Sequence, residues 1–175
     1  MKRLSVFAVA LSLLAAGCSK DASTSPTPTT PAANPLFSAV LSPSNEVPPV
    51  ANAESTVFGT ANITLNTTKD GAGNITAATA TFAVTLGGFP AGSTINIAHI
   101  HEGANTCACP VVVNTSLAAG EVTVSNGLAS FTKSSISVTP EVAQRLIANP
   151  AGFYFNVHST LNPGGVARGQ LVKTQ

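Results

Sequence analysis

Two of the three histidines in this chain stand at His99 and His101, in Ala98-His99-Ile100-His101-Glu102-Gly103. On a β-strand successive side chains alternate faces, so residues at i and i+2 project to the same side and both imidazoles can approach one ion. The third, His158, ends Phe153-Tyr154-Phe155-Asn156-Val157-His158, which also alternates as a strand does. Three neutral imidazoles suit zinc or copper and leave an open position for water or a further ligand. The expected chemistry is therefore coordination of copper or zinc by His99, His101 and His158.

Positioning these residues requires two strands side by side with all three rings on one face. If Phe153, Phe155 and Val157 point into a core, then Tyr154, Asn156 and His158 occupy the opposite face. The pair joins them only if Ala98 and Ile100 are core residues. Ile95 and Ile97, however, share parity with the histidines. Either a bulge near Asn96 or Ile97 switches faces, or the pair faces away from His158.

Neighbouring residues extend the candidate site. Glu102 can accept from an imidazole, act as a fourth ligand, or stand solvated in the loop beginning at Gly103. Cys107 and Cys109, in Cys107-Ala108-Cys109-Pro110, can form a tight disulfide, remain thiols, or bind a soft metal beside the histidines. The sequence contains no convincing nucleophile triad, paired-carboxylate site, phosphate loop or cofactor fingerprint.

The address is read from the other end. Met1-Lys2-Arg3, an apolar run from Leu4 to Ala16, then Gly17-Cys18 follow the order of a secretory signal, and the run is too short to span a bilayer. Leu14-Ala15-Ala16-Gly17-Cys18 resembles a bacterial lipobox, which implies cleavage after residue 17 and lipidation of Cys18. Several acyl chains would then hold the protein to the membrane, and Ser19-Lys20 resembles an outer-membrane sorting signal. The expected location is the bacterial cell envelope, on a periplasmic or surface face. With Cys18 so used, Cys107 and Cys109 are an even pair in an oxidising compartment. Of eight basic and seven acidic residues the leader removes two basic ones, leaving a balance of −1 without a basic patch. Nucleic acid is excluded as a partner on that ground.

Residues 18–35, with prolines at 26, 28, 31 and 35, lack apolar periodicity and are expected to form a flexible tether. Leu36 to Gln175, about 140 residues, suffices for one domain with its own core. Strands are expected at Leu36–Leu41, Val57–Leu65, Ile75–Leu86, Thr94–His101, Val111–Val113, Glu121–Ser125, Leu128–Ile136, Phe153–His158 and Val166–Lys173. Asn126-Gly127 marks a hairpin between the sixth and seventh. One helix is expected at 139–149, capped by Thr139 with Pro140 in its first turn and stopped at Asn149-Pro150. The fold class is all-β: a Greek-key-like antiparallel sandwich of about eight strands with one short helix.

Several motifs in order, namely Asn45-Glu46-Val47-Pro48-Pro49-Val50, Ala98-His99-Ile100-His101, Phe155-Asn156-Val157-His158-Ser159, Asn162-Pro163-Gly164-Gly165 and Arg168-Gly169-Gln170-Leu171, resemble the signatures of the CHRD domain. The resemblance covers nearly all of residues 36–173 and implies a fixed role for Glu46, either capping backbone donors or pairing with Arg168. Tyr154 joins these two as support for the site. Where the family usually carries Glu after its Pro-x-Gly turn, this chain has Val166. A weaker similarity is to copper-zinc superoxide dismutase, which also places His-x-His-Glu on a sandwich strand before a cysteine-bearing loop. Three histidines are too few for its dinuclear site.

The leading expectation is a binding module with a protein or glycan partner and a histidine-held metal. The alternatives are a structural or adhesive envelope domain, whose histidines only stitch strands together, and a mononuclear copper redox enzyme.

Overall fold

The computed structural model describes residues 33–175. The expected leader, lipidated Cys18 and most of the tether lie outside the described residues. Nine strands and one helix follow in order: β1 Leu36–Leu41, β2 Phe58–Lys69, β3 Ile75–Gly87, β4 Ile95–Glu102, β5 Val111–Asn114, β6 Ala129–Val138, α1 Pro140–Ala148, β7 Phe153–Ser159, β8 Ala167–Gln170 and β9 Val172–Lys173. They form two sheets, β6-β3-β2-β1-β9 and β5-β4-β7-β8, with every named pair antiparallel.

Alternation puts one apolar face of each sheet inward. Phe37, Leu41, Ile63, Leu65 and Phe82 from the first sheet meet Ile95, Ile100, Phe153 and Phe155 from the second, all at most 2% exposed. The Phe82 and Phe155 rings stack across the sheets at 5.7 Å between centroids, a contact that adds to their area burial. Helix α1 closes one side of this core with Val142, Ala143 and Leu146 buried. Thr139 Oγ1 accepts from the Val142 amide as expected of its cap.

Two expected strands are different. Glu121–Ser125 is not a strand: it makes only isolated bridges, Ile95 with Val122 and Ser125 with Leu128. Asn126 and Gly127 do turn the chain with positive φ, of 50° and 75°. The turn residues were legible, but one flank of the hairpin finds no ladder. The run Val166–Lys173 breaks in two, because buried Leu171 carries the chain from the second sheet into the first. A bulk hydrophobe at that corner anchors β8 and β9 to different layers.

The sheets also touch at β1 and β8. Ser42 and Arg168 exchange backbone hydrogen bonds of 3.1 and 3.3 Å, and Gly169 lies directly against the Val40 backbone. A Cβ there would overlap the Val40 carbonyl. Gly169→Ala is therefore expected to cost about 2–3 kcal/mol, as overpacking against immovable backbone does. A chemical melt checks this.

Candidate metal centre

The three histidines lie on the outer face of the second sheet, opposite the core. In the pairing of β4 with β7 the register slips between Ile95 and Ile97. Ile95 is fully buried, whereas Ile97 is 37% exposed, and Ala98 and Ile100 return to the core. The bulge at Asn96 thus resolves the parity conflict: it turns Ile97, His99 and His101 outward to join His158. Beyond it, His99 is opposite Asn156 and His101 opposite Tyr154, and on the other side of β7 Asn156 is opposite Arg168.

This outer face is buried although it is polar. His99, His101, His158, Asn156, Tyr154, Arg168 and Glu46 are each at most 8% exposed. The segment before β2 brings Glu46 in, and the loop after β4 brings the two cysteines. Ring centroids are 4.7 Å apart for His99 and His158 and 5.3 Å for His99 and His101. One ring nitrogen from each histidine lies within 4.8 Å of the other two.

The hydrogen bonds decide which nitrogens are free. His101 Nδ1 is 2.6 Å from the Cys109 carbonyl and His158 Nδ1 is 2.9 Å from the Pro163 carbonyl. A carbonyl accepts only, so both Nδ1 atoms carry the proton and both Nε2 atoms present lone pairs. Those two Nε2 atoms, and Nδ1 of His99, are buried without any partner. Leaving a buried polar atom unpaired costs about 1–3 kcal/mol each, so three converging orphans mark a site built for something else to fill. Tetrahedral nitrogens at zinc are about 3.4 Å apart, so donors that all lie within 4.8 Å of one another can close on an ion through small ring movements.

The electrostatics favour the neutral, ligating form. Burial, then the His158 and His101 rings, push His99 down to about 4. Burial lowers His101 as well, opposed by its bond to Cys109 and aided by the Arg168 charge. For His158 burial again dominates, opposed by Pro163 and aided by His101 and Arg168. The unfolded chain takes up protons near 6.5 that the folded apo-protein refuses, so stability falls as pH drops. His99 alone should contribute a loss on the order of 2 kcal/mol between pH 6.5 and about 4, levelling off below, once residual solvent screening is allowed for. Melts of metal-free protein across that window check it.

The supporting residues stand as follows. Arg168 Nε and Nη2 both reach Glu46 Oε2 at 2.6 Å, so Glu46 pairs with Arg168 rather than capping the backbone. Burial raises the Glu46 pKa, although Arg168 and Asn156 act against it. Gly165, at φ 136°, lets its turn lie against this carboxylate and the Asn156 amide, space that a Cβ would fill. Tyr154 stacks on His101, with centroids 4.7 Å apart and planes 3° apart, while the Arg168 guanidinium lies 4.8 Å from the Tyr154 ring. Val166 is fully buried among core residues.

The three suggested extra ligands do not join the histidines. Glu102 turns toward α1 and pairs with Arg145 at 2.8 and 3.0 Å, an exposed bridge of little energetic weight. Cys107 and Cys109 are joined as a disulfide, which removes both sulfurs as thiolate ligands in this state. One residue was invisible in the sequence. Glu54, 1% exposed, accepts from Ser93, Ser159 and Asn162 and pins the segment before β2 to the sheet. Nothing in Ala53-Glu54-Ser55 signals burial, because its partners come from distant turns.

Fold and site together define a class: an antiparallel β-sandwich with a second, polar interior on the outside of one sheet, centred on histidines. The CHRD domain family profile matches residues 37–171, and the chain belongs to that family. Neither the curated proteins nor the solved structures contain a match to it.

Proposed function

We propose that this protein is an envelope-anchored CHRD-domain binding module that coordinates one copper or zinc ion through His99, His101 and His158. The observation that carries the reading is the set of three buried imidazole nitrogens without partners, two of them on rings whose Nδ1 proton is held by a carbonyl and all three on rings of depressed basicity. Neutral imidazoles are suitable donors for either metal. Anchoring is supported by the lipobox-like Leu14-Ala15-Ala16-Gly17-Cys18, and the Pro- and Thr-rich sequence after it has the composition of a tether that would hold the module away from an outer-membrane surface. The module's partner would be a protein or glycan of the envelope.

The test is metal content. Protein without a polyhistidine tag, incubated with zinc or copper and then gel-filtered, is expected to retain about one equivalent of metal. Retention of none, or retention unchanged when His158 is replaced by alanine, would sink the assignment.

A further inference from the structure

The loop after β4 does more than cover the histidines. Three backbone groups of its disulfide-closed segment bond to residues of the site. The Cys107 carbonyl accepts from Tyr154 Oη at 2.9 Å and from Arg168 Nη1 at 2.8 Å. The Cys109 amide donates to the same Tyr154 Oη at 3.1 Å, and the Cys109 carbonyl accepts from His101 Nδ1 at 2.6 Å. Tyr154 in turn lies flat on the His101 ring. One small covalent ring therefore fixes both the plane and the proton position of a single histidine.

We infer that the Cys107–Cys109 disulfide is the positioning element of His101: closed, it holds Nδ1–H on the Cys109 carbonyl and aims Nε2 into the cluster, and opened, it releases both. Such an acceptor behind a ligating imidazole commonly changes metal affinity by about 10–100-fold. Opening the ring restores backbone freedom to residues 107–109, and four hydrogen bonds that depend on one ring conformation lose their common constraint. The loop is otherwise held on both sides of the ring: before it, Gln170 donates to the Gly103 carbonyl at 3.1 Å and accepts from the Asn105 amide at 2.8 Å, and the Gly103 amide donates to the Gly152 carbonyl at 2.7 Å. After it, the Glu102 amide donates to the Pro110 carbonyl at 3.1 Å. None of these bonds is made to the Cys109 amide or carbonyl.

The opening reaction is ordinary thiol–disulfide exchange. A dithiol reductant supplies two electrons and two protons, its own sulfurs closing to a disulfide while Cys107 and Cys109 become thiols. Both cysteines are half-buried and Ala108 between them is exposed, so an attacking thiolate has access. Coupling is reciprocal: an ion that binds the closed form more tightly protects the bond from reduction. The redox state of the envelope would thereby set the occupancy of the site.

The metal arm of this inference rests on the histidine reading above, whereas the orientation of His101 does not. The experiment has both arms. In metal-free protein, long-range proton–nitrogen NMR should find His101 protonated on Nδ1 alone in the disulfide form, and a mixture of tautomers in Cys107→Ser/Cys109→Ser. Should the serine variant fail to fold, the wild type reduced by a dithiol in the same tube gives the comparison. Zinc alone, as a redox-inert probe, is expected to bind the serine variant about 10–100-fold more weakly than the disulfide form. An unchanged tautomer overturns the inference, as does equal zinc affinity in the two forms. Tighter zinc binding by the reduced wild type than by either overturns it in favour of thiolate ligation. A tautomer change with no zinc bound by any form supports the positioning role and sinks the metal reading instead.

Discussion

Arg168→Met is expected to lower stability by about 3–5 kcal/mol, and Glu46→Leu/Arg168→Met should recover most of that loss. The two side chains are each 3% exposed and meet at 2.6 Å. Removing the cation strands a buried carboxylate with only the Asn156 amide to stabilise it, whereas removing both charges removes that penalty as well. The pair also links separate parts of the chain: Glu46 precedes β2, Arg168 lies in β8, and Arg168 Nη1 reaches the Cys107 carbonyl. Urea unfolding of the two single variants and the double one gives the coupling directly. A neutral Arg168→Met would mean that the pair does not hold this face together. A double variant as unstable as the single would place the loss in the bonds of Arg168 to the disulfide loop.

His99→Leu should separate the two readings of the histidines. In the metal-free protein it is expected to leave stability unchanged or raised near pH 5, while lowering zinc affinity by more than about 100-fold. Burial already holds His99 down to about 4, and its Nδ1 has no partner. Leucine therefore gives up no bond at that atom and removes the cost of burying a ring that acid would protonate. If the histidines merely stitched strands together, the same substitution would destabilise the apo-protein and metal would be irrelevant. Thermal melts with and without zinc, on both proteins, distinguish the outcomes. A site that costs stability when empty fits a groove shaped for a ligand.

The sandwich, the helix to within a residue at each end, and the histidine triad were legible in the sequence, because those rest on local periodicity and capping. The parity conflict in β4 was legible too, since a regular strand puts Ile95, Ile97, His99 and His101 on one face, and a core-facing Ile95 and Ile97 would turn the pair away from His158. The choice between bulge and misdirected pair stayed open, because a bulge is a property of two strands and only one was in view. The Glu46–Arg168 pair was one of two options for the same reason: residues 122 apart meet through topology, not pattern. Glu121–Ser125 looked like a strand because Val122 and Val124 alternate correctly, yet a ladder needs a partner in register and this segment has none. Leu171 read as one more strand residue, although its burial at the corner is what divides β8 from β9.

The pairing of β1 with β9 brings the beginning and the end of the folded domain together: Thr174 donates to the Leu36 carbonyl at 2.8 Å, and Ser38 lies opposite Val172. Until Val172 and Lys173 arrive, β1 has an unsatisfied edge of the kind that recruits other chains. The sandwich therefore hides that part of β1 only once β9 has paired with it, and a chain clipped before Val172 displays an edge that the intact fold covers.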